Sequence, residues 1–259
     1  MPEIDAVRLN VGTESLLLLN VSLGVIMFGV ALTLTTEDFR RLARYPRPAL
    51  LGMCSQFLLL PAVTFLLVWA LQPRPSIALG MLLVAACPGG NISNFMSLNA
   101  NGNTALSVTL TAVATVLALV LTPLNLSFWG GLYPPAASIL TTVDVSFWRV
   151  VKTVTLILGV PLVLGMSVRH WVPKRAQQLS RWMQGLSILL FAGIVLFALR
   201  ANFHYLVGYV GVVFDLVLIH NAVALGAGYQ LAYWTGLSTE NQQTLALETG
   251  IQNSGLGLI

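Results

Sequence analysis

The sequence predicts an all-α polytopic membrane protein in which two of the spanning helices are broken at membrane depth. Three observations predict it. The chain is 56% hydrophobic and 8% charged, with a mean hydropathy of +0.82, far more apolar than a water-soluble domain. Its apolar residues gather into runs near twenty residues, the length that carries a helix across a bilayer. Two of these runs are interrupted by polar and flexible residues. Leu79–Leu98, LGMLLVAACPGGNISNFMSL, is interrupted by Pro88, Gly89 and Gly90, and Leu247–Leu256, LETGIQNSGL, turns on Gly250 and carries Glu248. Proline removes a backbone donor and glycine removes stiffness, so each helix unwinds there. Irregular backbone at membrane depth persists only where protein or a water-filled cavity satisfies it, which places the neighbouring polar side chains at a site.

Eight spans are expected, in order. Span A, Ser15–Leu34, is preceded by Glu3, Asp5 and Glu14, the reverse of the positive leader of a signal peptide, and is expected to be a mature helix. Span B, Ala49–Leu71, carries Gln56, a lone glutamine of the kind that ordinarily ties helices together. Span C, Ser76–Leu98, contains the first break; Asn91-Ile92-Ser93 spells a glycosylation sequon there, which membrane depth rules out. Span D, Thr104–Phe128, puts Ser107, Thr111 and Thr115 one turn apart, a row whose ordinary reading is hydroxyls bonding back to carbonyls four residues earlier. Span E is Val150–Val168; span F, Gly185–Leu199, is short; span G, Tyr205–Trp234, is long enough to tilt or protrude. Within G, Asp215 and His220 are five residues apart and point to different faces, which argues against a proton relay. Span H, Thr244–Ile259, stops soon after its break, so the second half of a helix and a following helix are expected to be missing. Trp129, Tyr133, Trp148, Trp171, Trp182 and Trp234 stand at span edges as interface anchors. Cys54 and Cys87 lie inside apolar runs as small buried side chains, implying neither disulfide nor metal.

The net charge of +4 reports topology and implies no nucleic-acid partner. Arg40, Arg41, Arg44 and Arg47 fall between A and B, and Arg169, Lys174, Arg175 and Arg181 between E and F. With eight spans these loops share one side, expected to be the cytoplasmic side of the cell (inner) membrane, with the N-terminus outside. The broken spans C and H cross in opposite directions. An inverted repeat of five helices aligns B with G and C with H if one helix is missing before A and one after H, the pattern of an inverted-repeat secondary transporter.

Glu248 has no basic residue near it in sequence, and a carboxylate in hydrocarbon needs a cation or shielding. Thr249, Gly250, Gln252, Asn253 and Ser254 surround it with the oxygens that hard alkali ions take. The half-helices that restart after each break point free N–H groups and positive dipole ends at the crossing, which suits a carboxylate or sulfonate. Gly90 and Asn91 at the first break, and Asn253 and Ser254 at the second, are the residues expected at such an anion. No Ser-His-Asp set, Cys/His ligand spacing or phosphate loop is present, so the chain is not expected to be an enzyme.

Cys87-Pro-Gly-Gly-Asn-Ile-Ser-Asn94 and Glu248-Thr-Gly-Ile-Gln-Asn-Ser254 resemble the two signature crossings of the bile acid:sodium symporter family, bacterial-type members included. Leu23–Phe39 and Gln56-Phe-Leu-Leu-Leu-Pro61 resemble it too, so the likeness covers Leu23 to Ile259; the first helix is absent, as in nine-helix members. The resemblance implies one transporter unit over residues 1–259, with core helices in 49–128 and 205–259 and panel helices in 15–34 and 150–199. It implies two sodium ions at the crossing. One would take Ser93, Asn94, Ser107, Thr111 and Glu248; the other would take Gln56, Glu248, Gln252 and backbone carbonyls near Thr249 and Ile251. The implied activity is sodium-coupled symport of a small organic anion, from bile acids to smaller acids such as pantoate, by alternating access. Proton coupling through Glu248, or a channel or receptor that kept the fold, are the alternatives.

Overall fold

The computed structural model describes residues 13–142, 147–201 and 203–253, and among them the secondary structure is helical apart from one two-residue bridge. Prolines set the helix starts. Pro46, Pro75, Pro134 and Pro173 each open a helix, where a missing N–H costs nothing.

The first helix, α1, is Thr13–Ala31, and α2 is Thr36–Arg44. Arg40, Arg41 and Arg44 therefore lie on a short helix, not in the loop the sequence suggested. Glu37 and Asp38 in its first turn and Arg41 and Arg44 in its last complement the helix dipole, which is why so charged a segment is helical. Arg47, in α3 (Pro46–Cys54), donates to the Thr235 carbonyl. From α3 the chain runs through a π-helical segment, Ser55–Leu59, into α4, Leu60–Leu71. Pro61 has no N–H to offer the carbonyl of Phe57 and would clash with it. The helix widens by one residue instead, so that the Leu60 N–H reaches the Ser55 carbonyl five residues back.

Span C divides into α5, Pro75–Ala86, and α6, Asn91–Asn99, with Cys87 and Gly90 extended between them. Next come α7, Thr104–Leu132, capped by the Asn103 side chain on the Leu106 N–H at 3.0 Å, and α8, Pro134–Thr142. Span E is α9, Phe147–Val154, a second π segment, Thr155–Gly159, ahead of Pro161, and α10, Val160–Trp171. Only Val172 separates α10 from α11, Pro173–Ala201, so Lys174, Arg175 and Arg181 are helical and span F is twice its expected length. Nothing in that basic stretch breaks a helix once Pro173 has started it. The long α12, Phe203–Trp234, ends in a Schellman turn: Gly236 is left-handed at φ +68°, and the Leu237 N–H returns to the Ala232 carbonyl at 3.0 Å. The final described helix is α13, Thr239–Gly250.

Among the described residues, five helical stretches are long and apolar enough to cross a membrane: Pro46–Leu71, Thr104–Leu132, Val151–Trp171, Pro173–Phe197 and Val213–Trp234. Asn20–Ala31 and Pro75–Ala86 are shorter apolar helices. The chain divides into two compact units, with boundaries between Thr35 and Thr36, between Val151 and Lys152 inside α9, and between Asp215 and Leu216 inside α12. In the first unit α1 packs along α10 and α11. The second unit holds α2 to α8, the latter part of α12 and α13. One apolar cluster there, Ala49, Leu106, Leu110, Ala232, Leu237 and Leu245, ties α3, α7, α12 and α13 together. Another, around Val68, Met81, Leu82 and Tyr133, ties α4, α5 and α8. The candidate site lies within this unit.

Candidate functional site

Breaking a helix frees backbone groups, and here the two breaks satisfy each other. Gly89 and Gln252 form an antiparallel bridge. The Gly90 N–H donates to the Ile251 carbonyl at 3.0 Å and the Asn253 N–H to the Pro88 carbonyl at 2.8 Å. Both sequence-predicted breaks thus meet at one crossing. The N–H groups of Gly90 and Asn253 are committed there and are not free for an anion. Asn91 opens α6; its side chain, and Ser254, lie outside the described residues. Gly250 is the last residue of α13, where a Cβ would press on Leu225.

Glu248 is fully buried in the last turn of α13, beside the bridge. Its Oε1 accepts from the hydroxyls of Ser93, Ser107 (2.5 Å) and Thr111 (3.2 Å), and its Oε2 from Thr111 (3.2 Å) and the Gln56 amide (3.1 Å). Asn94 Oδ1 accepts from Ser107 at 2.8 Å and Thr111 at 3.3 Å, and Ser93 also reaches the Gly90 carbonyl at 2.6 Å. Among the described residues no Lys, Arg or His pairs with this carboxylate.

The proton count is informative. A hydroxyl carries one proton, so Ser93, Ser107 and Thr111 can donate three hydrogen bonds between them. They face seven close oxygen–oxygen approaches to Glu248, Asn94 and Gly90. The surplus is a cluster of lone pairs around a buried negative charge, the donor set that suits a hard monovalent cation. A protonated Glu248 would add a single proton and leave most of the surplus. Gln56 Nε2 and Gln252 Nε2 both donate to the Glu248 backbone carbonyl, at 3.3 and 3.2 Å, and the oxygens of the two amides are buried with no hydrogen-bond partner. Gln252 Nε2 is occupied by the carbonyls of Glu248 (3.2 Å) and Thr249 (2.8 Å), which leaves its oxygen as an unused ligand. The donor chemistry of both residue sets thus fits the sodium ions that the resemblance implies.

The local fold explains the convergence. The widened turn at Ser55–Leu59 turns Ser55 and Gln56 together toward α13, where the Ser55 hydroxyl pairs with that of Thr249 at 2.6 Å. Neither the widened turn nor the Ser55–Thr249 pair was read from the sequence, although Pro61 four residues beyond Phe57 is the signal for it. Gly89 is required by space: a Cβ there would stand 2.7 Å from Glu248 Oε2 and 3.0 Å from Gln56 Nε2. The hydroxyl row on α7 divides, Ser107 and Thr111 turning to the carboxylate while Thr115 bonds back to the Thr111 carbonyl at 2.7 Å. His220 is buried against the Thr64 hydroxyl at 2.8 Å and Asp215 is exposed, so they form no relay. Cys54 and Cys87 are free; Cys87 is buried as expected, whereas Cys54, at the end of α3, is exposed.

The Sodium Bile acid symporter family matches residues 20–209, nearly three quarters of the chain, and this stretch includes Gln56, Ser93, Asn94, Ser107 and Thr111. The chain belongs to the sodium bile acid symporter family. Among relatives, the uncharacterized sodium-dependent transporter YocS of Bacillus subtilis is 32% identical over 92% of this chain and 72% of its own length. A probable chloroplastic sodium/metabolite cotransporter of rice, BASS2, is 30% identical over 93% of this chain, and human sodium/bile acid cotransporter 4 is 33% identical over 91%. The chain spans 56% and 54% of those two proteins. These symporter-family relatives are named as transporters, not as enzymes.

Proposed function

We propose that the chain is the transporting unit of a sodium-coupled symporter for a small organic anion. The observation that carries this reading is fully buried Glu248, without a basic partner: its carboxylate meets a cluster of hydroxyl oxygens, and its backbone carbonyl meets two glutamine amides whose oxygens are unpaired. One ion would be held by Ser93, Asn94, Ser107, Thr111 and Glu248. The second would be held by Gln56, Glu248, Gln252 and the carbonyls of Thr249 and Ile251. The anion would be recruited by the N-terminal end of α6, beginning at Asn91 beside Gly90, with Asn253 across the crossing; Ser254, expected at the same anion, lies outside the described residues. Its class runs from bile acids to smaller carboxylates such as pantoate. The names of the relatives, which pair sodium with bile acids or metabolites, support the coupling.

In this reading the helices of 49–128 and 205–259 are the core and those of 15–34 and 150–199 the panel, working by alternating access within the cell (inner) membrane; the second compact unit holds the described core residues except 205–215. The N-terminus is outside, and α2 and the start of α11 are cytoplasmic. Uptake of candidate anions by the full-length protein, with sodium replaced by choline at fixed pH, tests the reading. Sodium coupling predicts loss of concentrative uptake in choline. Uptake that persists in choline and follows the proton gradient would instead assign the coupling to titration of Glu248, and equilibration without concentration would assign a channel.

A further inference from the structure

The three helices that surround Glu248 each carry another polar residue one turn further in the same direction. On α6, Ser97 follows Ser93; at the N-cap of α7, Asn103 precedes Ser107; on α13, Thr244 precedes Glu248. Residues four apart share a helix face, so these three line the same seam as the Glu248 cluster, one layer away. The connection from α6 to α7 closes that layer. The Gly102 N–H donates to the Ser97 carbonyl at 2.7 Å, the Asn103 N–H to the Glu240 carbonyl at 3.2 Å, and Asn103 Nδ2 to Asn241 Oδ1 at 2.9 Å. The packing is close enough that a Cβ on Gly102 would stand 2.8 Å from Thr244 Oγ1 and 3.1 Å from the Ser97 carbonyl.

Inside this layer the Ser97 hydroxyl is fully buried and has no hydrogen-bond partner. A helical serine normally bonds back to the carbonyl four residues earlier, and burying a hydroxyl without doing so is costly. Ser97, Asn103, Thr244 and Asn241 offer this layer hydroxyl, amide and carbonyl oxygens, none of them a carboxylate. That donor set can strip and pass a monovalent cation without trapping it, and Glu240 stands exposed beyond it.

Resting on the sodium-coupled reading above, we propose that this layer is a transit station for sodium between the Glu248 cluster and the end of the core where α13 begins. Ser97 supplies the oxygen that holds the ion in passage, and the Asn103–Asn241 pair is the outer closure. The path runs between α6, α7 and α13, wholly within the second unit.

Radiolabelled sodium bound to the purified full-length protein, and its release after dilution into unlabelled sodium, test this together with thermal melting. Ser97→Ala and Ser97→Cys are expected to keep equilibrium affinity within about twofold while slowing release about tenfold, the consequence of losing one hydrogen-bond-sized contact in transit. Their melting temperature is expected to hold or rise, because the orphaned hydroxyl is gone. Asn241→Ala is expected to speed release. Wild-type release rates in both Ser97 variants would overturn the proposal, as would a fall in melting temperature and affinity together, which marks a structural serine. If the wild-type protein shows no saturable sodium binding, the sodium-coupled reading itself falls; binding with unaltered release in the variants sinks only the transit station.

Discussion

Glu248 stays where it is because donors from three elements hold it: Gln56 on the widened turn, Ser93 on α6, and Ser107 and Thr111 on α7. Hydrogen bonds ease the burial of a carboxylate but do not cancel its charge, and in the proposed function that unbalanced charge would draw the cation. Gly89 shows how tightly the arrangement is built. Helix propensity alone would have Gly89→Ala stabilise a continuous helix by up to about 1 kcal/mol. The structure points the other way, because the added methyl collides with both Glu248 and Gln56. Gly89→Ala is therefore expected to lower the melting temperature and to abolish the additional stabilisation that sodium gives over choline. Gly90→Ala, whose Cβ would meet the Gln252 carbonyl at an ordinary 3.4 Å, is expected to retain most of both. Equal behaviour of the two variants in paired melting curves would show that space at Gly89 is not what the site requires.

At the level of elements, the π segment at Ser55–Leu59 is the device that aims Gln56. One extra residue in a turn rotates the helix before it by roughly 100° relative to the helix after it. Pro61→Ala lets the helix close regularly. It is expected to hold or raise thermal stability while swinging Ser55 and Gln56 off α13, weakening sodium binding about tenfold or more, a loss equivalent to one or two coordinating groups. Unchanged binding in that variant would mean that Gln56 is placed by its neighbours and not by the proline. Much of the site was legible in the sequence because unwinding residues leave a local mark: Pro88, Gly89, Gly90 and the polar run after Glu248 stand out against hydrocarbon. The contacts that were not legible depend on partners far away in the chain. Nothing near Ser55 announces Thr249, and nothing near Asn103 announces Asn241. The helicity of α2 and of the Lys174–Arg181 stretch was missed because charge was read as loop, when acidic residues at the start and basic residues at the end of α2 favour the helix dipole.

For the molecule as a whole, membership of the sodium bile acid symporter family fixes the class, and Glu248 is where a two-ion mechanism would join its parts. In the proposed arrangement a carboxylate shared by both positions would make their occupancy interdependent, whereas the hydroxyls of Ser107 and Thr111 would serve one position and the Gln56 oxygen the other. Losing a buried countercharge costs several kcal/mol, comparable with the roughly 4 kcal/mol of a millimolar site, so a neutral side chain at position 248 leaves no sodium affinity to measure. Ser107→Ala, Thr111→Ala and Gln56→Ala are each expected to spare one position and reduce the steepness of the sodium dependence toward that of a single ion. The most direct test is the sodium dependence of substrate binding in the full-length protein carrying Glu248→Gln, fitted for midpoint and Hill slope beside the wild type. The account predicts that sodium-dependent binding disappears; a variant that kept the wild-type midpoint and steepness would show that the carboxylate binds neither ion and contradict it.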